Sequence, residues 1–322
     1  MKHPRFARVE ARIREAEEVA LREGADLTKQ SDRVVSVFEV LQQIGGDEVF
    51  DPDLLQQGRA AELQSLLDFD VYEAVPPVPG HRVLNTRWVD GYKQAVDRLV
   101  IKSRLVVRGF EVGEKDPTDH STYAPTVGAD AIRLLLSLEE RMRARGRCRS
   151  TAVLDVSTAF LHADIKAGRG EESERPIYVR PPKEANQGGL VWRLKRALYG
   201  LRQSPRLWYE KVRSELISLG YEPLAREPCV FVRRSASDPP GEFLSAIALH
   251  VDDLLMLGDS EELSRDVERL SAVLSVKVDL VPQDQDHAWG YLGTRLEQKG
   301  GLLFLSMSRE YADRLCKLLG VH

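Results

Sequence analysis

The sequence is short of the residues that would place it in several common classes. Only three cysteines occur among 322 residues, Cys148, Cys229 and Cys316, and no two form a CxxC pair. A zinc site or a disulfide framework needs more cysteines or closer ones, so neither is expected. Such usage fits a reducing, intracellular setting. Long apolar runs are absent too: no window reaches the ~18 uninterrupted apolar residues of a membrane span. The charged stretch Met1 to Arg14 lacks the apolar centre of a signal peptide. No internal repeat is found.

What is present is an ordinary globular composition, 43% hydrophobic and 30% charged. Single cores stop growing at roughly 250–300 residues, so two or more lobes are expected. A net charge of −4 speaks against a nucleic-acid binder, but the total conceals an asymmetry. Residues 1–81 carry 9 Lys/Arg against 16 Asp/Glu, residues 82–149 carry 14 against 9, and residues 175–213 carry 10 against 2. The basic middle can supply the phosphate contacts that dominate nucleic-acid affinity, although a solvated charged surface would have the same composition.

Residues 1–45 read as helix, residues 46–60 as a connection around Gly45-Gly46 and Asp51-Pro52-Asp53, and Glu62 to Leu67 as a short helix. Thr86 to Tyr92 and Leu99 to Gly109 are strand-like, and residues 111–122 and 166–175 are polar and loop-like. Ile132, Leu135, Leu136 and Leu138 predict a helix over Ala129 to Arg145. A second helix is expected from Ser204-Pro205 to Leu219, with the serine as its cap. Ser260 to Leu274 and Ser308 to Leu319 read as helices, and Tyr291 to Glu297 with Leu302 to Leu305 as a hairpin around Gly300-Gly301. Helices and strands mix without a regular βαβ repeat, which makes the fold class α+β.

The chemistry centres on His250-Val251-Asp252-Asp253, set in the apolar run from Leu244 to Gly258. Carboxylates are disfavoured in strands and are almost never fully buried unless paired. A hairpin with the acidic pair at its tip accommodates them, and so does a plain surface turn. Val153-Leu154-Asp155-Val156 is a second apolar strand that ends in a carboxylate. If the two neighbour one another, three carboxylates meet at one sheet edge and repel until a cation joins them. Oxygen ligands suit Mg²⁺, and two such ions serve phosphoryl transfer.

From about Glu62 onward, an ordered series of motifs resembles the reverse transcriptase region of Ty1/copia retrotransposon polyproteins. Thr86-Arg87-Trp88-Val89 and Ser103-Arg104-Leu105-Val106-Val107-Arg108-Gly109-Phe110 come first, then Tyr123-Ala124-Pro125-Thr126-Val127. Leu154-Asp155-Val156-Ser157-Thr158-Ala159-Phe160-Leu161 and Ile177-Tyr178-Val179-Arg180-Pro181-Pro182 follow. Leu198-Tyr199-Gly200-Leu201-Arg202-Gln203-Ser204-Pro205-Arg206-Leu207-Trp208 is similar to the family's "LYGLKQSPRxW", and His250 to Asp253 stands where the family has "YVDD". Tyr291-Leu292-Gly293 closes the series. The departures are His250 in place of tyrosine and an acidic N-terminal helix without a counterpart.

The resemblance implies a right-hand polymerase with an antiparallel palm sheet. Fingers would span about 82–150 and 176–204, and palm 151–165 and 205–300. Residues 301–322 would begin a thumb or form a C-terminal helix, and residues 1–60 would be an appended helical arm. Asp155, Asp252 and Asp253, with the Val156 carbonyl, would hold two Mg²⁺ or Mn²⁺ ions. Lys102, Arg104, Phe160 and Gly200 would bind the nucleotide, with Phe160 excluding a ribose hydroxyl. Gln203, His250, Leu292 and Gly293 would face primer and template. The implied partners are a primed RNA or DNA template, deoxynucleotides and other segments of a Pol polyprotein. No membrane is implied, and the setting is a cytoplasmic virus-like particle or the nucleus. A truncated or domesticated relative that only binds nucleic acid or a protein is the alternative.

Overall fold

The computed structural model describes residues 50–94, 99–109, 122–146, 149–165, 176–185, 188–235, 241, 243–307 and 309–319. The expected helix over 1–45, the loop at 166–175 and nearly all of the loop at 111–122 lie outside them. In chain order the elements are α1 (Pro52–Asp68), β1 (Tyr72–Val75), β2 (Val83–Leu84), β3 (Thr86–Gln94), β4 (Leu99–Val107), α2 (Ala129–Arg143) and β5 (Arg149–Val156). Then come β6 (Tyr178–Val179), β7 (Val191–Leu194), α3 (Ser204–Ser218), β8 (Glu222–Leu224), β9 (Glu227–Arg234), β10 (Phe243–His250) and β11 (Asp253–Asp259). The last are α4 (Ser260–Val273), β12 (Val276–Pro282), β13 (His287–Tyr291), β14 (Thr294–Lys299), β15 (Leu302–Met307) and α5 (Arg309–Leu319). This mixture is the expected α+β class. The described residues fall into two compact units, one from residues up to 109 with 176–201, the other from 122–165 with 202 onward.

The first unit begins where a connection is expected from sequence. Asp51 accepts from the Asp53 and Leu54 amides at 2.9 and 3.0 Å, and Pro52 fills the first turn of α1. Asp-Pro-Asp is therefore a helix start rather than a turn, because an aspartate at the cap satisfies free N–H groups and a proline there gives up none. Residues 52–60 form the first part of α1. Strands β3 and β4 pair antiparallel from Thr86↔Val107 to Gln94↔Leu99. Along β4, Ile101, Leu105 and Val107 are buried while Lys102, Arg104 and Arg108 alternate outward. Glu62 of α1 is also buried and accepts from the Leu105 amide at 3.2 Å. Burial pushes its carboxyl up, against the pull of that amide and of Arg104 and Lys102. A four-stranded sheet in the order β1-β7-β6-β2 completes the unit.

The second unit is built on a six-stranded sheet in the order β12-β5-β11-β10-β9-β8, antiparallel throughout. Its core joins Ile132, Leu135 and Leu136 of α2, Trp208, Val212 and Leu216 of α3, and Leu263, Val267 and Leu270 of α4. Helix α2, expected among the fingers residues, thus packs in the unit that holds the acidic strands. Strand β5 extends further back than the Val153–Val156 run expected, with Arg149 and Ser150 buried within it. Arg149 and Arg143 both pair with the fully buried Glu139, and Arg143 also donates to Thr151 at 2.7 Å and Gln298 at 2.8 Å. The start of α3 differs from expectation: Ser204 is buried as its first residue, and Gln203 holds the cap position without a side-chain bond. Strands β13, β14 and β15 form a small antiparallel sheet, and Gly300-Gly301 turns between the last two as expected.

Candidate active site

The register of β10 and β11 pairs His250 with Asp253, which leaves Val251 and Asp252 as a two-residue loop. The acidic pair is therefore divided. Asp252 sits in the turn, and Asp253 opens β11. Val251 has φ 56°, and Asp252 is not among the residues of positive φ. A positive φ at the first loop position is a conformation that glycine ordinarily occupies. A valine there is strained, because its branched Cβ crowds the backbone.

Strand β5 lies against β11 with Asp155 directly opposite Asp253. The Val156 amide donates to the Asp252 carbonyl at 2.8 Å, carrying the ladder into the turn. From α3, Trp208 Nε1 donates to the Val251 carbonyl at 2.6 Å. On the other side of β5, Lys277 of β12 is in register with Asp155 and brings Nζ to 3.7 Å from Oδ2, both side chains at least half exposed. Two strands and one turn thus bring Asp155, Asp252 and Asp253 to one end of the sheet, meeting the condition of neighbouring strands that the sequence left open.

The electrostatics follow from that crowding. Burial raises the pKa of the Asp253 carboxyl, Asp252 and Asp155 raise it further, and His250 opposes them. Burial, then the charge of Asp253, pushes the Tyr291 phenol well above its usual range, and its hydroxyl donates to the Ala248 carbonyl at 3.5 Å. Among the described residues no three of His, Cys, Asp and Glu are already drawn into a cation cage. The donor set nonetheless suits a hard cation. The carboxylates and the Val156 carbonyl are oxygen donors, and the charges of Asp252 and Asp155, which add to burial in raising the Asp253 carboxyl, are ones a cation would neutralise.

The other predicted residues divide between the units. In the second, Phe160 lies in a 3₁₀ turn, Ala159–His162, half-buried against the core just after Thr158 at φ 54°. His250 is half-exposed, and its Nδ1 is buried without a hydrogen-bond partner among the described residues. Leu292 and Gly293, at φ 49° and 72°, make a two-residue turn between β13 and β14. That turn breaks the single strand expected over Tyr291 to Glu297. In the first unit, Lys102 is exposed and Arg104 lies 5.9 Å over the Tyr199 ring. Gly200, at φ 86°, has the Val107 carbonyl 2.1 Å from where a Cβ would stand. The backbone that demands glycine there is the chain's own β4.

Sequence reasoning missed three contributors: the Trp208 donor, Lys277 and the Tyr291 hydroxyl. Only Trp208 and Tyr291 carried a signal, as members of motifs. Nothing marked Lys277, because its place depends on the register of β12.

Residues 69–321 match the family described as reverse transcriptase (RNA-dependent DNA polymerase). The retrovirus-related Pol polyprotein from transposon TNT 1-94 of Nicotiana tabacum is 32% identical over 81% of this chain and 18% of its own length. That from transposon RE1 of Arabidopsis thaliana is 27% identical over 80% of this chain and 16% of its own. The transposon Ty1-DR4 Gag-Pol polyprotein of Saccharomyces cerevisiae is 29% identical over 78% and 14%. The chain therefore spans less than a fifth of these relatives. A solved foamy viral protease-reverse transcriptase in complex with double-stranded DNA gives a looser likeness, at 16% identity and a TM-score of 0.42 over 84% of this chain and 38% of that one. With the family match running through most of the sequence and the tobacco relative 32% identical across 81% of it, the chain belongs to the reverse transcriptase (RNA-dependent DNA polymerase) family, on its Ty1/copia side.

Proposed function

We propose that this chain is an RNA-directed DNA polymerase domain that adds deoxynucleotides to a primer 3′-hydroxyl, with pyrophosphate leaving. The observation that carries the reading is the in-register pairing of Asp155 with Asp253, with Asp252 in the adjoining turn. These three carboxylates, with the Val156 carbonyl, would hold two Mg²⁺ or Mn²⁺ ions. Such ions, when bound, stabilise the charge that develops on the attacking and leaving oxygens. The protein's own contribution is positioning. Strand β5 holds Asp155 between two neighbours, and the hairpin turn offers Asp252 beside it.

The remaining roles rest on the resemblance. Lys102 and Arg104 are assigned to the triphosphate, a task for which a guanidinium fork is suited. Phe160 is assigned to the sugar, and Gly200 to the nucleotide's surroundings. Gln203, His250, Leu292 and Gly293 are assigned to primer and template. The partners are a primed RNA or DNA template and the other segments of a Pol polyprotein, in a virus-like particle or the nucleus. No described helix is long and apolar enough to cross a membrane.

The test is primer extension on an RNA template with Mg²⁺ or Mn²⁺ and deoxynucleotides. The unaltered chain should extend the primer, and Asp252→Asn should lose at least about 10²-fold in rate. Absence of extension, or equal extension by the variant, would overturn the reading. Salt-dependent duplex binding without extension would favour a relative that only binds nucleic acid.

A further inference from the structure

Trp208 is 1% exposed, and a ring so buried would serve the core by its apolar area alone. Its one polar atom nevertheless has a particular target. The Nε1 hydrogen goes to the Val251 carbonyl at 2.6 Å, and Val251 is the strained residue of the turn. Relaxing Val251 out of the left-handed region turns the adjoining peptide and takes that oxygen away from the indole. The next carbonyl along, that of Asp252, is held from the other side by the Val156 amide at 2.8 Å. Two successive carbonyls of the turn are thus fixed, one by α3 and one by β5. The indole itself is well anchored. The His162 ring lies 6.0 Å from it, and His162 Nε2 accepts from the Ser275 amide at 3.4 Å.

A strained conformation persists only where its surroundings over-determine it. We propose that the Trp208 N–H is a clamp that keeps Val251 left-handed and so fixes where Asp252 and Asp253 present their carboxylates. Trp208 touches no reacting atom and is a positioning residue. Its consequence for turnover rests on the metal-binding reading above, but the clamp itself does not.

The competing view is that a buried indole finds a partner wherever it lies, with no effect on the turn. Trp208→Phe separates the two, since it keeps a large ring and loses only the donor. The measurement is residue-resolved amide hydrogen exchange on the whole chain, without metal or substrate. In the variant the Val156 amide should exchange roughly two- to tenfold faster, the range for losing one net hydrogen bond. The Leu154 amide, two residues back in the same strand, should keep its rate. Adding Val251→Asn should return Val156 toward its original protection, because asparagine tolerates the left-handed region. Unchanged exchange at Val156 overturns the proposal. So does equal acceleration at Val156 and Leu154, which assigns the indole to packing, and so does failure of Val251→Asn to restore protection. A chain that extends no primer still tests the clamp, because exchange needs no catalysis.

Discussion

At the scale of single residues, Asp253 carries the clearest consequence. Its folded-state pKa is raised, by burial first and by Asp252 and Asp155 after it. For an acid shifted upward, the folded state prefers the protonated form. The associated stability is therefore fully present below the carboxyl's ordinary pKa and is lost as pH rises through the raised value. Without divalent ions, Asp253→Asn should melt higher than the unaltered chain at pH ~7, on the order of 1–2 °C once solvent screening is allowed for. The gain should fade by pH ~3.5, where an unperturbed aspartate is largely protonated, and Mg²⁺ should shrink it at neutral pH. Thermal denaturation at both pH values, with and without Mg²⁺, checks the sign. Phe160 supports a separate prediction. Exchanging it for Val should raise ribonucleotide incorporation by at least about tenfold, since steric discrimination of that size is what one side chain commonly supplies. Sugar selectivity measured in single-nucleotide extension decides the point, and an unchanged ratio removes Phe160 from the nucleotide site.

Among the elements, the short β-hairpins and helices were legible in sequence where the signal was local. Ser260 to Leu274 and Ala129 to Arg145 were expected and are found within a residue or two, and the hairpin turns at Gly300-Gly301 as expected. The two strands flanking the acidic pair were expected as well. What sequence alone misread was local chemistry with two meanings. Asp51-Pro52-Asp53 suits a turn and a capped helix equally, and only the following core contacts decide for the helix. Leu292-Gly293 carries no asparagine to announce a hairpin turn, so the expected strand runs from Tyr291 to Glu297 straight through it. The partnership of β5 with β11 and β12 could not be read at all, because register between strands about a hundred residues apart is set by packing. It supplies Lys277 and the alignment of Asp155 with Asp253. Gly200 tests a further element-scale claim. Gly200→Ala should destabilise the chain by at least about 2 kcal/mol, from the left-handed cost plus a clash with β4. Gly80 has φ 79° but open space around its Cβ position, so Gly80→Ala should cost less. Denaturant midpoints of the two variants compare them directly.

Taken as a whole molecule, the chain divides by space rather than by order. Its described residues cross between units on either side of 110–121 and 166–175, and once more at 201/202. Sequence length pointed to two lobes, but the boundaries follow the crossings and leave α2 with the sheet that holds the carboxylates. Charge is uneven at this scale too, with a net −4 that hides the basic stretches at 82–149 and 175–213. If those stretches meet phosphates, affinity for a primed duplex should fall steeply with salt, log K against log [salt] sloping by about −0.9 for each phosphate contact on duplex DNA. Fluorescence anisotropy between low and physiological salt measures the slope, and a flat response excludes backbone binding.

The placement of β5 also sets a clock for the chain's own synthesis. Asp155 is made before both strands that flank it: its register partners Asp253 of β11 and Lys277 of β12 come 98 and 122 residues later. Long-range pairings of this kind form slowly and late. On the ribosome, β5 stays without its neighbours until the segment up to Pro282 has emerged, and its apolar residues are open to chaperones or to misplaced partners during that interval. The three carboxylates meanwhile remain apart, so a nascent chain cut short before β11 cannot bring Asp155 opposite Asp253.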